Sequence, residues 1–157
     1  MKSDGFFKQL VAAFIVTLAI YIIAYRAIED HRTHNGPWQI AFTNDASSAP
    51  ALLINQPKLA ITNVLIVFPN EVKPMFTNQA AALVLNAPRA VPFDVPFGKC
   101  VFMDATSMPG TIVFEMFGHE IQLLPRVLTI DGVEQSWLSQ KEIILKAATN
   151  SISETVK

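Results

Sequence analysis

Residues 111–137 read TIVFEMFGHEIQLLPRVLTIDGVEQSW. Apolar and polar residues alternate along much of this stretch, and two glycine-bearing breaks divide it. That is the pattern of antiparallel strands joined by tight turns. Asp131-Gly132 is a type I′ signal, because both central residues of that turn need positive φ. It sets Ile130 against Val133, Leu128 against Gln135 and Arg126 against Trp137. Gly118-His119 reads as a second two-residue turn, of type II′ because glycine comes first. It sets Phe117 against Glu120, Met116 against Ile121 and Phe114 against Leu123, and it puts His119 at a hairpin tip. Ile112, Phe114, Met116, Ile121 and Leu123 then share one apolar face, with Glu115 and Gln122 on the other. Turn chemistry and face pattern agree, which is what a foldable sequence requires of its parts.

The same texture extends in both directions. WQIAFT (38–43), KLAITNVLIVF (58–68), AALVLN (81–86), KCVFMDA (99–105) and EIIL (142–145) are short, rich in β-branched or aromatic residues, and bounded by Pro, Gly, Asn or Asp. The most helix-like piece, NQAAALVLN (78–86), is short and runs into Ala-Pro. In APRAVPFDVPFGK (87–99) a proline recurs at 88, 92 and 96. Proline cannot donate to a central ladder, so this segment is an edge strand or an extended strap. Eight or nine strands without intervening helices predict a mainly-β fold. The expected domain is an antiparallel, immunoglobulin-like β-sandwich over 38–146, followed by a polar tail at 147–157. The cysteine pair of antibody domains is absent.

The N-terminus differs in kind. Gln9 to Tyr25 is a run of seventeen uncharged residues. Extended to 6–28 as a helix, it spans about 34 Å, enough for a hydrocarbon core of about 30 Å. Lys8 and Arg26 fall near the two faces, where their stems can snorkel. Tyr21 and Tyr25 lie towards one interface. A removable export signal needs small residues at −3 and −1 of its cut. Cutting after Ala24 puts Ile22 at −3, and cutting after Ala27 puts Tyr25 there. The reading is therefore a short tail at 1–5, a retained transmembrane helix at 6–28, and a juxtamembrane linker at 29–37. Lys2 and Lys8 before the helix balance Arg26 and Arg32 after it. The free amino group tips orientation towards a cytoplasmic N-terminus and an extracytoplasmic, periplasmic-side domain.

Charge and cysteine content narrow the function. The chain has 157 residues, 51% hydrophobic and 16% charged, with a net charge of −1. No basic footprint for nucleic acid is present. The single cysteine, Cys100, cannot form an internal disulfide and reads as a small buried hydrophobe. No Walker loop, dinucleotide fingerprint, GxSxG elbow or SxxK occurs. A blue-copper site would need a compact Cys-His-Met loop, and no histidine follows Cys100 until His119. His31 and His34 share a face if the helix continues, and with Glu29, Asp30 and His119 they offer metal-ligand chemistry. The plainer account is that a membrane helix must end in polar residues.

The expectation is thus a non-enzyme without cofactor or metal, held in a lipid bilayer through 6–28. Its β domain would bind another membrane or envelope protein, as an accessory subunit of a membrane complex would. Phe93, Phe97 and Phe117 are the expected contact residues, being aromatic, in a charge-poor setting and outward by pattern. Trp38 and Trp137 read as core or anchoring residues. The alternative is a metal-handling or assembly factor that uses the juxtamembrane histidines or Cys100.

Overall fold

The computed structural model describes residues 4–71 and 81–146. The chain divides into two units, one ending at His34 and one beginning at Asn35. The polar tail at 147–157 lies outside the described residues, as do residues 1–3 of the short N-terminal tail.

The first unit is a single helix, α1 (Asp4–Thr33). Its thirty residues rise about 45 Å. No proline interrupts it, and the hydroxyl of Thr17 donates to the Ala13 carbonyl at 2.9 Å. A polar group in an apolar stretch is thereby satisfied within the helix. The helix continues past the boundary at 28, so residues 29–33 of the predicted linker are helical. Two opposite charges three apart help to continue it: Arg32 donates through Nη2 to Glu29 at 2.6 Å and through Nε at 3.1 Å. Apolar residues cover its whole circumference, with Phe14, Ile20 and Ile23 each more than 60% exposed. Such a helix is built for an apolar surrounding rather than for water.

The second unit is mainly β. Its strands are β1 (Gln39–Asn44), β2 (Pro50–Gln56), β3 (Ile61–Val67), β4 (Ala81–Val84), β5 (Phe93–Val95) and β6 (Gly98–Met103). They continue as β7 (Ile112–Met116), β8 (His119–Leu123), β9 (Val127–Ile130), β10 (Val133–Ser136) and β11 (Glu142–Ile144). One sheet has the order β11-β3-β2-β1-β4, and the other is the meander β10-β9-β8-β7-β6-β5. Two corrections to the expected fold follow. Antibody domains share consecutive strands between their sheets, whereas β5 to β10 here stay in one sheet, so the topology lends no support to an immunoglobulin-like order. Nor is the pairing wholly antiparallel, because β11 runs parallel to β3, with Ile143 opposite Ile66.

The Asp131-Gly132 hairpin forms in the predicted register: Val133 pairs with Ile130 and Gln135 with Leu128. Both turn residues have positive φ, 50° and 77°, as type I′ demands. The other hairpin is shifted by two residues. Met116 pairs with His119 and Phe114 with Ile121, so the loop is Phe117-Gly118 rather than Gly118-His119. Phe117 takes φ of 51° and Gly118 80°, again type I′. A one-residue slip would have turned the strand inside out, but a two-residue slip preserves the faces. Ile112, Phe114, Met116, Ile121 and Leu123 are accordingly all buried. They join Ile40, Leu52, Ile54, Val64 and Ile66 of the other sheet in one core.

The proline-rich segment contains β5, an edge strand of its sheet, with Pro92 before it and Pro96 in the turn after it, where missing donors cost little. Gly98 opens β6 beneath a backbone crossing: an added Cβ would collide with the carbonyl of Glu115.

Candidate functional site

The start of the β domain is fixed by buried polar contacts. Gln56 is 1% exposed, and its Nε2 donates to the carbonyls of Gly36 and Pro37, both at 2.9 Å. Its Oε1 accepts from the amide of Lys58 at 3.0 Å. Trp38 Nε1 donates to the Gly110 carbonyl at 2.8 Å, and Trp137 Nε1 to the Leu124 carbonyl at 2.8 Å. The two indoles meet with centroids 5.3 Å apart. Gly36 and Pro37 therefore belong to the β domain. Of the predicted linker at 29–37, only His34 and Asn35 lie between the helix and that clamp. Gln56 escaped the sequence reading because β2 itself did. Its first residue, Pro50, and the preceding Ser-rich loop look like irregular chain, although proline is tolerated at the first position of a strand.

The three phenylalanines chosen for contact are placed differently from the expectation. Phe97 is 6% exposed and meets Phe42 edge-on at 5.4 Å. Phe117 packs against Phe68 at 5.1 Å and Phe97 at 5.7 Å. Phe93 is half-buried against the core, under the guanidinium of Arg89 at 4.8 Å. Phe97 points inward because it follows the edge strand at a turn, where strict alternation no longer predicts the face. Among the described residues of this domain, the most exposed large apolar side chains are Val84, Phe102, Val133, Leu138 and Ile144, each exposed by 48% or more.

His119 is not at a hairpin tip. It faces inward at the start of β8 and is 7% exposed. Nδ1 lies 2.6 Å from Oδ2 of Asp131, and Nε2 lies 2.9 Å from the carbonyl of Lys146. A carbonyl only accepts, so Nε2 carries its proton and donates. Both nitrogens are engaged. Asp131 also accepts the amide of Glu120 through Oδ1 at 2.9 Å. The arrangement ties the β9–β10 turn, β8 and the chain after β11 together.

His31 and His34 are both exposed, at the end of α1 and just beyond it. Cys100 is fully buried, and its Sγ lies 3.5 Å from the carbonyl of Phe102. Burial pushes its thiol up to about 11. Among the described residues, no three His, Cys, Asp or Glu side chains converge as metal ligands would.

Helix and sheets together define a class: a membrane-associated chain with one apolar N-terminal helix, long enough to cross a bilayer, and a β-rich domain of two sheets. No protein family, curated protein or solved structure matches the chain.

Proposed function

We propose that the chain is a single-pass, non-catalytic membrane protein whose β domain binds another membrane or envelope protein, as an accessory subunit of a membrane complex. The observation that carries the reading is α1, whose apolar side chains are exposed all round over a length that matches a bilayer. A structural role for the domain is supported by how its reactive groups are used. Both nitrogens of His119 are hydrogen-bonded, and the thiol of Cys100 is buried. The β domain would stand on the extracytoplasmic side.

Three measurements test this. Intact mass of the membrane-fraction protein should include residues 6–27, whereas a mature form beginning near Tyr25 or Ile28 sinks the anchor. Ser107→Cys, in a Cys100→Ala background, should label from outside sealed spheroplasts, since Ser107 sits in an exposed loop. Protection there reverses the topology. Mild-detergent purification followed by mass spectrometry should bring down one membrane or envelope protein in fixed proportion, and its absence counts against the accessory role.

A further inference from the structure

Buried His119 meets an acceptor at each ring nitrogen, the Asp131 carboxylate 2.6 Å from Nδ1 and the Lys146 carbonyl 2.9 Å from Nε2. An ionised carboxylate, like a carbonyl, can only accept. The Asp131 side chain is half exposed to water, and its other oxygen accepts the Glu120 amide at 2.9 Å, which is the setting of an ionised group. Two acceptors call for two donors, so the ring is an imidazolium. Phe68, after β3, lies 6.2 Å from it between centroids. Charged residues on the surrounding elements are Glu115 and Glu120 on the outward face of β7 and β8, Glu71 after β3, and exposed Glu142 and Lys146. Asp131 is the one carboxylate in ion-pair contact with the ring among the described residues.

What the ring holds is the end of the shortest parallel element. Lys146 follows β11, a three-residue strand at the edge of its sheet. Few ties keep β11 on β3. The Lys141 carbonyl accepts the Leu65 amide at 2.9 Å, the Leu145 amide donates to the Val67 carbonyl at 2.9 Å, and Ile143 fills a core position. His119 belongs to the other sheet, so its bond to Lys146 fastens the far end of this run across the sandwich.

We propose that His119 is a proton-operated latch on β11: the doubly protonated ring holds the Lys146 carbonyl, and loss of one proton to solvent releases it and lets β11 leave the β3 edge. A neutral ring has one N–H for two acceptors. The charge-assisted bond to Asp131 is the stronger, so the remaining proton stays on Nδ1. Nε2 then presents a lone pair to the carbonyl oxygen, the contact turns repulsive, and Lys146 withdraws. The closed latch holds one proton more than the open one, so rising pH favours opening, by at most about ten-fold per pH unit. Opening bares the β3 edge from Leu65 to Val67, a template on which another strand can pair.

The test uses the full chain in detergent micelles, scanned from about pH 5 to about pH 8. Nitrogen NMR of the ring counts its protons. Hydrogen exchange, corrected for its intrinsic pH dependence, is followed at the Leu145 amide, with β2 as the control. The wild-type ring should carry two protons at the acid end, and protection at Leu145 should fall about ten-fold as one is lost, with β2 unchanged. Asp131→Asn separates a latch from a plain structural contact. Its Oδ1 still accepts the Glu120 amide, its Nδ2 donates to Nδ1, and a neutral ring keeps Nε2–H on Lys146, so protection at Leu145 should stay high across the range. His119→Gln, which has no ring to titrate, should show lower protection that is equally flat. The proposal is overturned by a singly protonated ring in protein whose Leu145 is protected, or by wild-type protection that is flat with pH. Either variant opening with pH as the wild type does overturns it as well.

Discussion

Glu115 and Glu120 stand directly opposite each other across β7 and β8. The two-residue loop makes Met116 and His119 the hydrogen-bonded pair, so the next pair out is the closer, non-hydrogen-bonded kind. Two carboxylates there repel. Lys99, across from Glu115 on the other side, relieves part of this, and Gln122 donates to Glu120 at 2.5 Å. Like charges directly opposite destabilise a sheet, so Glu120→Lys should raise stability by about 0.5 kcal/mol. Chemical denaturation of the detergent-solubilised chain measures it, and a lower midpoint would show that the Gln122 contact outweighs the repulsion.

Phe117 holds φ of 51° while its ring packs on Phe68 and Phe97. Ring contacts and backbone preference oppose each other at one residue. Phe117→Ala loses the ring and keeps the unfavourable backbone, a loss of about 2 kcal/mol. Phe117→Gly loses the same ring but adopts positive φ freely, and should be about 1 kcal/mol more stable than the alanine variant. Thermal melts of the pair decide the matter, because equal stabilities would remove the strain from the account.

Asp131 combines a positive φ with two acceptor contacts, to His119 and to the Glu120 amide. Asp131→Ala should cost about 2 kcal/mol, since a buried ring nitrogen loses its partner. Asp131→Asn should cost under about 1 kcal/mol, because asparagine tolerates this backbone and its amide can face either form of the ring. The backbone fold should survive both, which amide exchange across β8 and β9 would report.

The thiol of Cys100, raised by burial from 9.0 to about 11, supplies an alkaline prediction. The thiolate is favoured in the unfolded chain. Its contribution to stability is whole below 9.0 and is lost as pH rises through about 11. Cys100→Ala should flatten that part of the pH–stability curve. In the folded chain the thiol should resist alkylating reagents at neutral pH and react once denaturant is added. Rapid alkylation of folded protein would show that the core opens there.

Local chemistry was legible in the sequence, and long-range pairing was not. Asp131-Gly132 carries its own turn geometry, so its register could be read from two residues. Gly118 misled by two positions because the neighbouring Phe117, a poor candidate for positive φ, takes that conformation to bury its ring. The burial of His119 depends on a carbonyl at Lys146, which no window around the histidine includes. The parallel pairing of β11 with β3 has no turn to announce it. The burial of Phe97 was missed for a related reason. Phe97 was assigned by alternation along a segment that alternation does not govern, whereas its burial is set by Phe42, far away in the chain.

The parallel strand at the end of the domain also bears on how the protein is made. During translation α1 is made before the β domain that follows it. β3 forms early, yet its outer edge waits for Glu142–Ile144, and the core position filled by Ile143 waits with it. Until then an apolar strand edge is open on the nascent chain, a setting that invites pairing between copies. A ribosome that stalls after Gln140 would leave that edge uncovered for good, so faulty products of this gene should be recognised by quality control as aggregation-prone rather than as unfolded throughout.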